Sequence, residues 1–244
     1  MNSIVVGDVH GCGEELEELL DFVLEADDAC RIRLVGDLLT KGPEPDRVVR
    51  ILDELRLAGV DIASVCGNHD LRLLLGLLRY RNGCPDPRGS RGDRDTIERL
   101  RRTDSIEAAI GLLSETVNRP RCTAGEATVV HAGIDPERGL AGTTVHDLLH
   151  RKARSDETPW WDRYDGRDGL VVFGHKPLRS PLRRLHDSQV VAVNVDTGCV
   201  AGGRLTAYRV ETDSFVCVES RQIGGRDRGV VARTPSGRPR ALAV

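Results

Sequence analysis

The chain predicts a layered α/β fold. Two patterns carry the prediction. β-branched runs alternate with amphipathic helical stripes through the first third, and the second half turns strand-rich. A third pattern points to function. Six of the strand-like runs end in a residue that can ligate metal: Gly7-Asp8-Val9-His10-Gly11, Gly36-Asp37, Gly67-Asn68-His69-Asp70, His131-Ala132-Gly133, Gly174-His175 and Asp196-Thr197-Gly198. Strand ends hold loops on a rigid sheet, and glycines let backbone approach a metal or phosphate closely.

The elements come in a clear order. Ile4-Val5-Val6 is the β-branched run of the first strand. Residues 14–26 carry Leu16, Leu19, Leu20, Val23 and Leu24 at helical spacing. Residues 32–35 form the second strand. Gly42-Pro43 signals helix entry, and residues 43–57 carry Val48, Val49, Ile51, Leu52 and Leu55. Residues 62–65 are the third strand and 70–80 the third helix. Residues 83–92, rich in Gly, Pro and Arg, read as a loop. Residues 94–117 predict two short helices, within an insertion at about 84–120 expected to cap the site. Residues 128–130 and 170–173 are strands. Residues 190–195, 204–210 and 214–219 predict an antiparallel meander. One domain is expected over residues 1–220. Residues 221–244 hold six Arg, one Asp, four Gly and two Pro, and predict a mobile basic tail.

Composition narrows the function classes. At 244 residues the chain can bury a real core. A net charge of −3 gives no global pull toward nucleic acid or anionic membrane. Aromatics at 3% argue against a base-stacking surface. The seven cysteines are odd in number, scattered, and form no C-x-x-C pair. That pattern fits reduced thiols and a cytoplasmic location. The first strand starts at Ser3, which leaves no room for a leader, and no apolar run reaches membrane-spanning length.

The loops suggest a two-metal centre. Asp8 and His10 alternate, so both can face one ion from a strand end. The Asp37 carboxylate can bridge two cations. Asn68 offers a neutral oxygen, and His131 and His175 offer imidazole nitrogens. This mixed N/O set suits manganese first, with iron, zinc, cobalt or nickel as alternatives, and not calcium. Two such ions can clamp a phosphoryl oxygen and turn a bridging water into hydroxide. His146, His150 and His186 lack comparable context and read as helix or surface residues.

These loops resemble those of the calcineurin-like metallophosphoesterases, in particular the phosphoprotein phosphatase group. That group's pattern is G-D-x-H-G, G-D-x-x-D-R-G, G-N-H-[DE], H-[AG]-G and G-H. Asp196-Thr197-Gly198-Cys199-Val200 followed by Gly202-Gly203-Arg204-Leu205-Thr206-Ala207 is most similar to symmetrical diadenosine tetraphosphatases and related ApaH-like phosphatases. The resemblance implies a four-layer α-β-β-α sandwich of two mixed sheets. It implies that Asp8, His10 and Asp37 hold one ion. It implies further that Asp37, Asn68, His131 and His175 hold the other, that His69 is the general acid, and that Asp196 stands just behind the ligands.

One loop departs. Where the group has D-R-G-P, this chain has Thr40-Lys41-Gly42-Pro43. In the group, that Asp supports the catalytic histidine and the Arg grips phosphate. Thr40 brings no negative charge, so His69 should hold a proton weakly unless Asp70 or another acid substitutes. Lys41 keeps the charge without the two-pronged grip. A seldom-protonated general acid is least harmful when the leaving group is a phosphate, whose second pKa is about 6. The expected substrates are therefore phosphoanhydrides such as dinucleoside polyphosphates. A Ser/Thr protein phosphatase and a non-catalytic phosphate-binding module are the alternatives. Arg151, Arg154 and Arg163 are candidates to grip phosphate beside Lys41. The tail could add salt-sensitive nucleic-acid contact, although a solvated tail is the simpler expectation.

Overall fold

Side-chain alternation in the first strand sets the layering. β1 (Ser3–Val6) turns Ile4 and Val6 into one apolar cluster and Val5 into another, as a period of two requires. β2 (Arg31–Leu34) and β3 (Ile62–Ser64) pair parallel beside it. Parallel pairs need crossovers, supplied by α1 (Gly13–Ala26) and α2 (Pro45–Leu57). α3 (Asn68–Arg81), α4 (Arg91–Arg102) and α5 (Ile106–Val117) complete that helical layer. The computed structural model describes residues 2–84, 89–152 and 157–222. Arg154 and residues 223–244 of the expected tail lie outside the described residues.

A second sheet comes next, with strand order β4-β5-β6-β8-β7. Its strands are β4 (Arg121–Ala124), β5 (Ala127–Val130), β6 (Val171–Phe173), β7 (Leu182–His186) and β8 (Gln189–Asn194). Three short helices intervene between β5 and β6: α6 (Gly139–Gly142), α7 (Val145–His150) and α8 (Trp160–Arg163). The chain then returns to the first sheet through β9 (Asp196–Thr197), β10 (Arg204–Arg209) and β11 (Ser214–Glu219). That sheet is ordered β11-β10-β1-β2-β3, with β9 on β10. Both sheets mix parallel and antiparallel pairs.

Three apolar clusters separate the four layers. The first joins α1, α2, α3, α4 and α5 to one face of the first sheet through Leu16, Leu34, Leu73 and Leu113. The second lies between the sheets and joins Val5, Val35, Val129, Val172 and Tyr208. The third packs Leu148, Trp160 and Trp161 on the outer face of the second sheet. This is the expected α-β-β-α sandwich.

Some local expectations change. The three late strands form no single meander. β8 belongs to the second sheet, and the chain crosses at Val195, whose N–H bonds Phe173 O at 2.9 Å. β4 and β7 carry polar, exposed positions such as Arg121, Arg183 and Arg184 at sheet edges, so they lack the apolar alternation that marks a strand. α4 starts at Arg91 because Ser90 and Asp93 form a capping box. From the segment expected as a cap at about 84–120, Ile97, Leu100 and Ile110 enter the first cluster. Arg221, first of the expected tail, is anchored on α1: its N–H donates to the buried Glu15 carboxylate at 2.6 Å. Among the described residues no helix is long and apolar enough to cross a membrane.

Burial predicts a contrast between two leucines. Leu34→Ala, at 1% exposure, should cost about 2–5 kcal/mol. Leu57→Ala, at 88% exposure, should change stability by no more than about 0.5 kcal/mol. Urea unfolding of both variants checks this, and comparable losses would contradict the layering.

Candidate metal centre

The motif loops leave the ends of β1, β2, β3, β5, β6 and β8 and meet around Asp37. The His10 Nε2 lies 3.4 Å from Asp37 Oδ2, and His131 Nε2 lies 3.6 Å from Oδ1. The His69 N–H donates to Asp37 Oδ1 at 2.9 Å. His131 Nε2 also faces Asn68 Oδ1 and His175 Nδ1, each at 3.0 Å. The His175 N–H donates to Asp8 at 3.1 Å. Two groups, His10-Asp37-His69 and Asp37-His131-His175, each gather ligand atoms within 4.8 Å, and Asp37 belongs to both.

The backbone is bent to achieve this. His10, Asp37, Lys41 and His175 occupy left-handed conformations at φ 49°, 55°, 77° and 66°. Non-glycine residues rarely do so, and such strain gathers at functional sites. Two motif glycines leave room for the carboxylates. A Cβ on Gly67 would lie 2.2 Å from Asp37 Oδ1, and one on Gly174 would lie 2.0 Å from Asp8 Oδ1.

The donor set fits a cation. His131 Nδ1–H donates to Val35 O at 2.8 Å, which leaves Nε2 as an acceptor facing two further acceptors, Asn68 Oδ1 and Asp37 Oδ1. His175 Nε2 is buried without a hydrogen-bond partner. Lone pairs converging on one space fit divalent ions. Burial pushes Asp8 well above the usual carboxylate range, with help from Asp196 and Asp37. It pushes Asp37 and Asp196 up to about 6. It also pulls His69, His131 and His175 down to about 3. Desolvation disfavours the charged form in every case.

The remaining expected residues fall into two groups. Thr40 Oγ1 lies 3.2 Å from His10 Nδ1, not at His69, and Lys41 Nζ lies 2.8 Å from His10 Nε2. Asp196 is buried and accepts the Gly198 N–H at 3.0 Å. Asp70 does not substitute as the acid for His69. Its carboxylate accepts the N–H groups of Asp37, Leu38 and Gly67 at 2.7, 2.8 and 2.9 Å. Arg151 is directed to Asp135 and Asp147, both at 3.4 Å. Arg163 pairs with Glu137 at 2.9 Å. His146 and His150 share α7, and His186 stands half-exposed on β7.

The sequence reading missed Arg72. Its Nη2 donates to His69 Nδ1 at 2.7 Å. Asp93 grips the same guanidinium at 2.6 and 2.9 Å, from the buried capping box of α4. Two signals were available: Arg72 lies at i+3 from His69, on the same helix face, and Ser90-x-x-Asp93 is a capping pattern. The positive charges that reach Asp37 are those of Lys41, Arg72 and Lys152.

Known proteins share this architecture. The calcineurin-like phosphoesterase family model matches residues 1–209. The asymmetrical bis(5'-nucleosyl)-tetraphosphatase PrpE of Halalkalibacterium halodurans is 31% identical over 242 residues, covering 89% of this chain and 94% of that protein. The symmetrical bis(5'-nucleosyl)-tetraphosphatase of Dechloromonas aromatica is 27% identical and covers 86% and 93%. A structure solved as that of a proposed diadenosine tetraphosphatase aligns with TM-score 0.66 and 26% identity, over 90% of this chain and 93% of that one. Given that span of match and the N/O donor set around Asp37, the chain belongs to the calcineurin-like phosphoesterase family, hydrolases that act with divalent metal ions.

Proposed function

We propose that the chain hydrolyses phosphoanhydride bonds of dinucleoside polyphosphates. In this reading Asp8, His10 and Asp37 hold one divalent ion, and Asp37, Asn68, His131 and His175 a second. Bound there, the ions supply Lewis acidity toward phosphoryl oxygens and lower the pKa of water. Manganese heads the choices for this donor set.

The observation that carries the substrate class is the guanidinium against His69. Arginine can only donate. The Nδ1 must therefore accept, and Nε2 carries the proton of a neutral imidazole. Burial, then Lys41, then Arg72 hold its pKa down at about 3. A carboxylate in the same place would favour imidazolium instead. His69 is thus a neutral imidazole and a poor proton donor over the centre, its Nε2 4.0 Å from Asp37 Oδ2. Expelling a serine alkoxide needs a strong proton donor, whereas a departing nucleotide is stable as an anion. Lys41, Arg72 and Lys152 add positive charge that suits a polyanionic substrate. The names of the relatives support this class. They include symmetrical and asymmetrical tetraphosphatases, so the proposal covers the anhydride class without fixing the position of cleavage.

The leaving group provides the first test of this centre. On diadenosine tetraphosphate, His69→Ala should lower kcat/KM by less than about tenfold. On phosphoserine peptide it should lower kcat/KM by about a hundredfold or more. Wild type should prefer the anhydride. Equal losses on both substrates, or a wild-type preference for the peptide, would move the reading to a protein phosphatase.

The second test concerns pH. The metal-free Asp37 carboxyl titrates at about 6, raised by burial, and an ion needs its carboxylate form. Below pH 6 the proton competes, so metal affinity should fall about tenfold per pH unit for each proton displaced. The histidines near 3 stay neutral in that window and do not compete. In metal-free protein the sign for stability is reversed. The raised Asp37 pKa favours the fold at low pH, and that contribution is lost as pH rises through about 6. Titration of metal-free protein with manganese at pH 5, 6 and 7 checks the first sign, and a flat affinity would refute the competition.

A further inference from the structure

A second cluster of ligand-type side chains lies outside the centre just described. Cys12 Sγ, Cys199 Sγ and a Glu15 carboxylate oxygen all lie within 4.8 Å of one another. Their residues are 0%, 1% and 0% exposed. The local sequence explains the meeting. Cys12 is the N-cap of α1, yet its side chain makes no capping hydrogen bond. Glu15 stands in the first turn of the same helix. Cys199 opens the 3-10 turn just after β9.

The Glu15 carboxylate is incompletely satisfied. Its Oε1 accepts the Arg221 N–H at 2.6 Å and the Gln222 side-chain amide at 3.4 Å. Its Oε2 is buried with no hydrogen-bond partner. An unpartnered buried carboxylate oxygen is costly, and the carboxylate that bears it lies beside two sulfurs that ligate soft metals.

We propose that Cys12, Cys199 and Glu15 form a separate structural site for a thiophilic divalent ion of the zinc class. Two thiolates, one carboxylate and a divalent ion sum to a single negative charge. The N-terminus of α1 and the Arg221 N–H offset it. Three protein donors are one short of the usual four, so a water or main-chain oxygen completes the shell. The S/O donor set separates this site chemically from the N/O centre. Its role is to tie the loop bearing Asp8 and His10 to the turn after Asp196, two segments distant in sequence that both shape the catalytic centre. The proposal does not depend on the substrate reading.

Cobalt tests it without relying on turnover. Protein produced in cobalt-supplemented medium should show a near-ultraviolet sulfur-to-cobalt charge-transfer band. The catalytic centre contains no sulfur donor, so the band reports on Cys12 and Cys199. It should vanish in C12S/C199S. In Glu15→Gln the ion should be lost to chelator at concentrations about tenfold lower. Hydrolysis of p-nitrophenyl phosphate by the same samples monitors the catalytic centre independently. Active cobalt protein without the charge-transfer band overturns the proposal. So does a band that persists in C12S/C199S. So does an intact mass two hydrogens short, which would show a Cys12–Cys199 disulfide in place of the metal site.

Discussion

The centre depends on keeping one buried carboxylate, that of Asp37, in place. Burying a charge is unfavourable unless it is paired and hydrogen-bonded. Here the surroundings are organised to meet that demand. Its main chain sits at φ 55°, and its N–H donates to Asp70. Its oxygens face His10, His131 and the His69 N–H. Gly67 leaves the space its Oδ1 occupies. Asp70 is itself fully buried and joins the end of β2 to the start of α3 through three N–H bonds. Both sheets contribute to the group, with His131 and His175 brought by the second. The sandwich is in this sense a frame for holding acceptors close together until cations bind.

The frame was legible in the sequence because its signals are local. Val5 lies between Ile4 and Val6, and that alternation already places one face toward helices and one toward the second sheet. The ligand loops were legible because each ends an apolar run. The long-range features were concealed. β7 has no apolar alternation, since an edge strand with one solvated side can be polar. The crossing at Val195 looks like continued strand, because both sheets favour the same β-branched residues. Glu15 reads as a solvated helix residue by type, yet the return of the chain after β11 buries it completely.

The same distinction separates the proposed ligands from the residues around them. Asp8, His10, Asp37, Asn68, His131 and His175 each belong to a short motif, and the structure gathers them. The motif pattern alone puts Thr40 and Asp70 around His69. Geometry instead turns Thr40 to His10 and Asp70 to main-chain N–H groups. Arg151 suits phosphate by composition, but a guanidinium goes to the nearest well-placed carboxylates, here Asp135 and Asp147. Motif membership identifies which residues meet; it does not say which atom faces which.

Arg72 makes that difference concrete. Its contact with His69 needs α3 to place the two residues three apart on one face. It also needs α4 to begin at Ser90, so that the capping box presents the Asp93 carboxylate inward. Asp93 then serves two purposes, closing a helix end and fixing a guanidinium. α4 is held in turn by Ile97 and Leu100, which share a core cluster with β1 and α1. The hydrogen-bonding state of His69 is therefore set by core packing of a helix that supplies none of the proposed metal ligands. On the proposed role of His69, altering α4 alone would change the tolerance for basic leaving groups while every proposed ligand in the motif loops stayed in place.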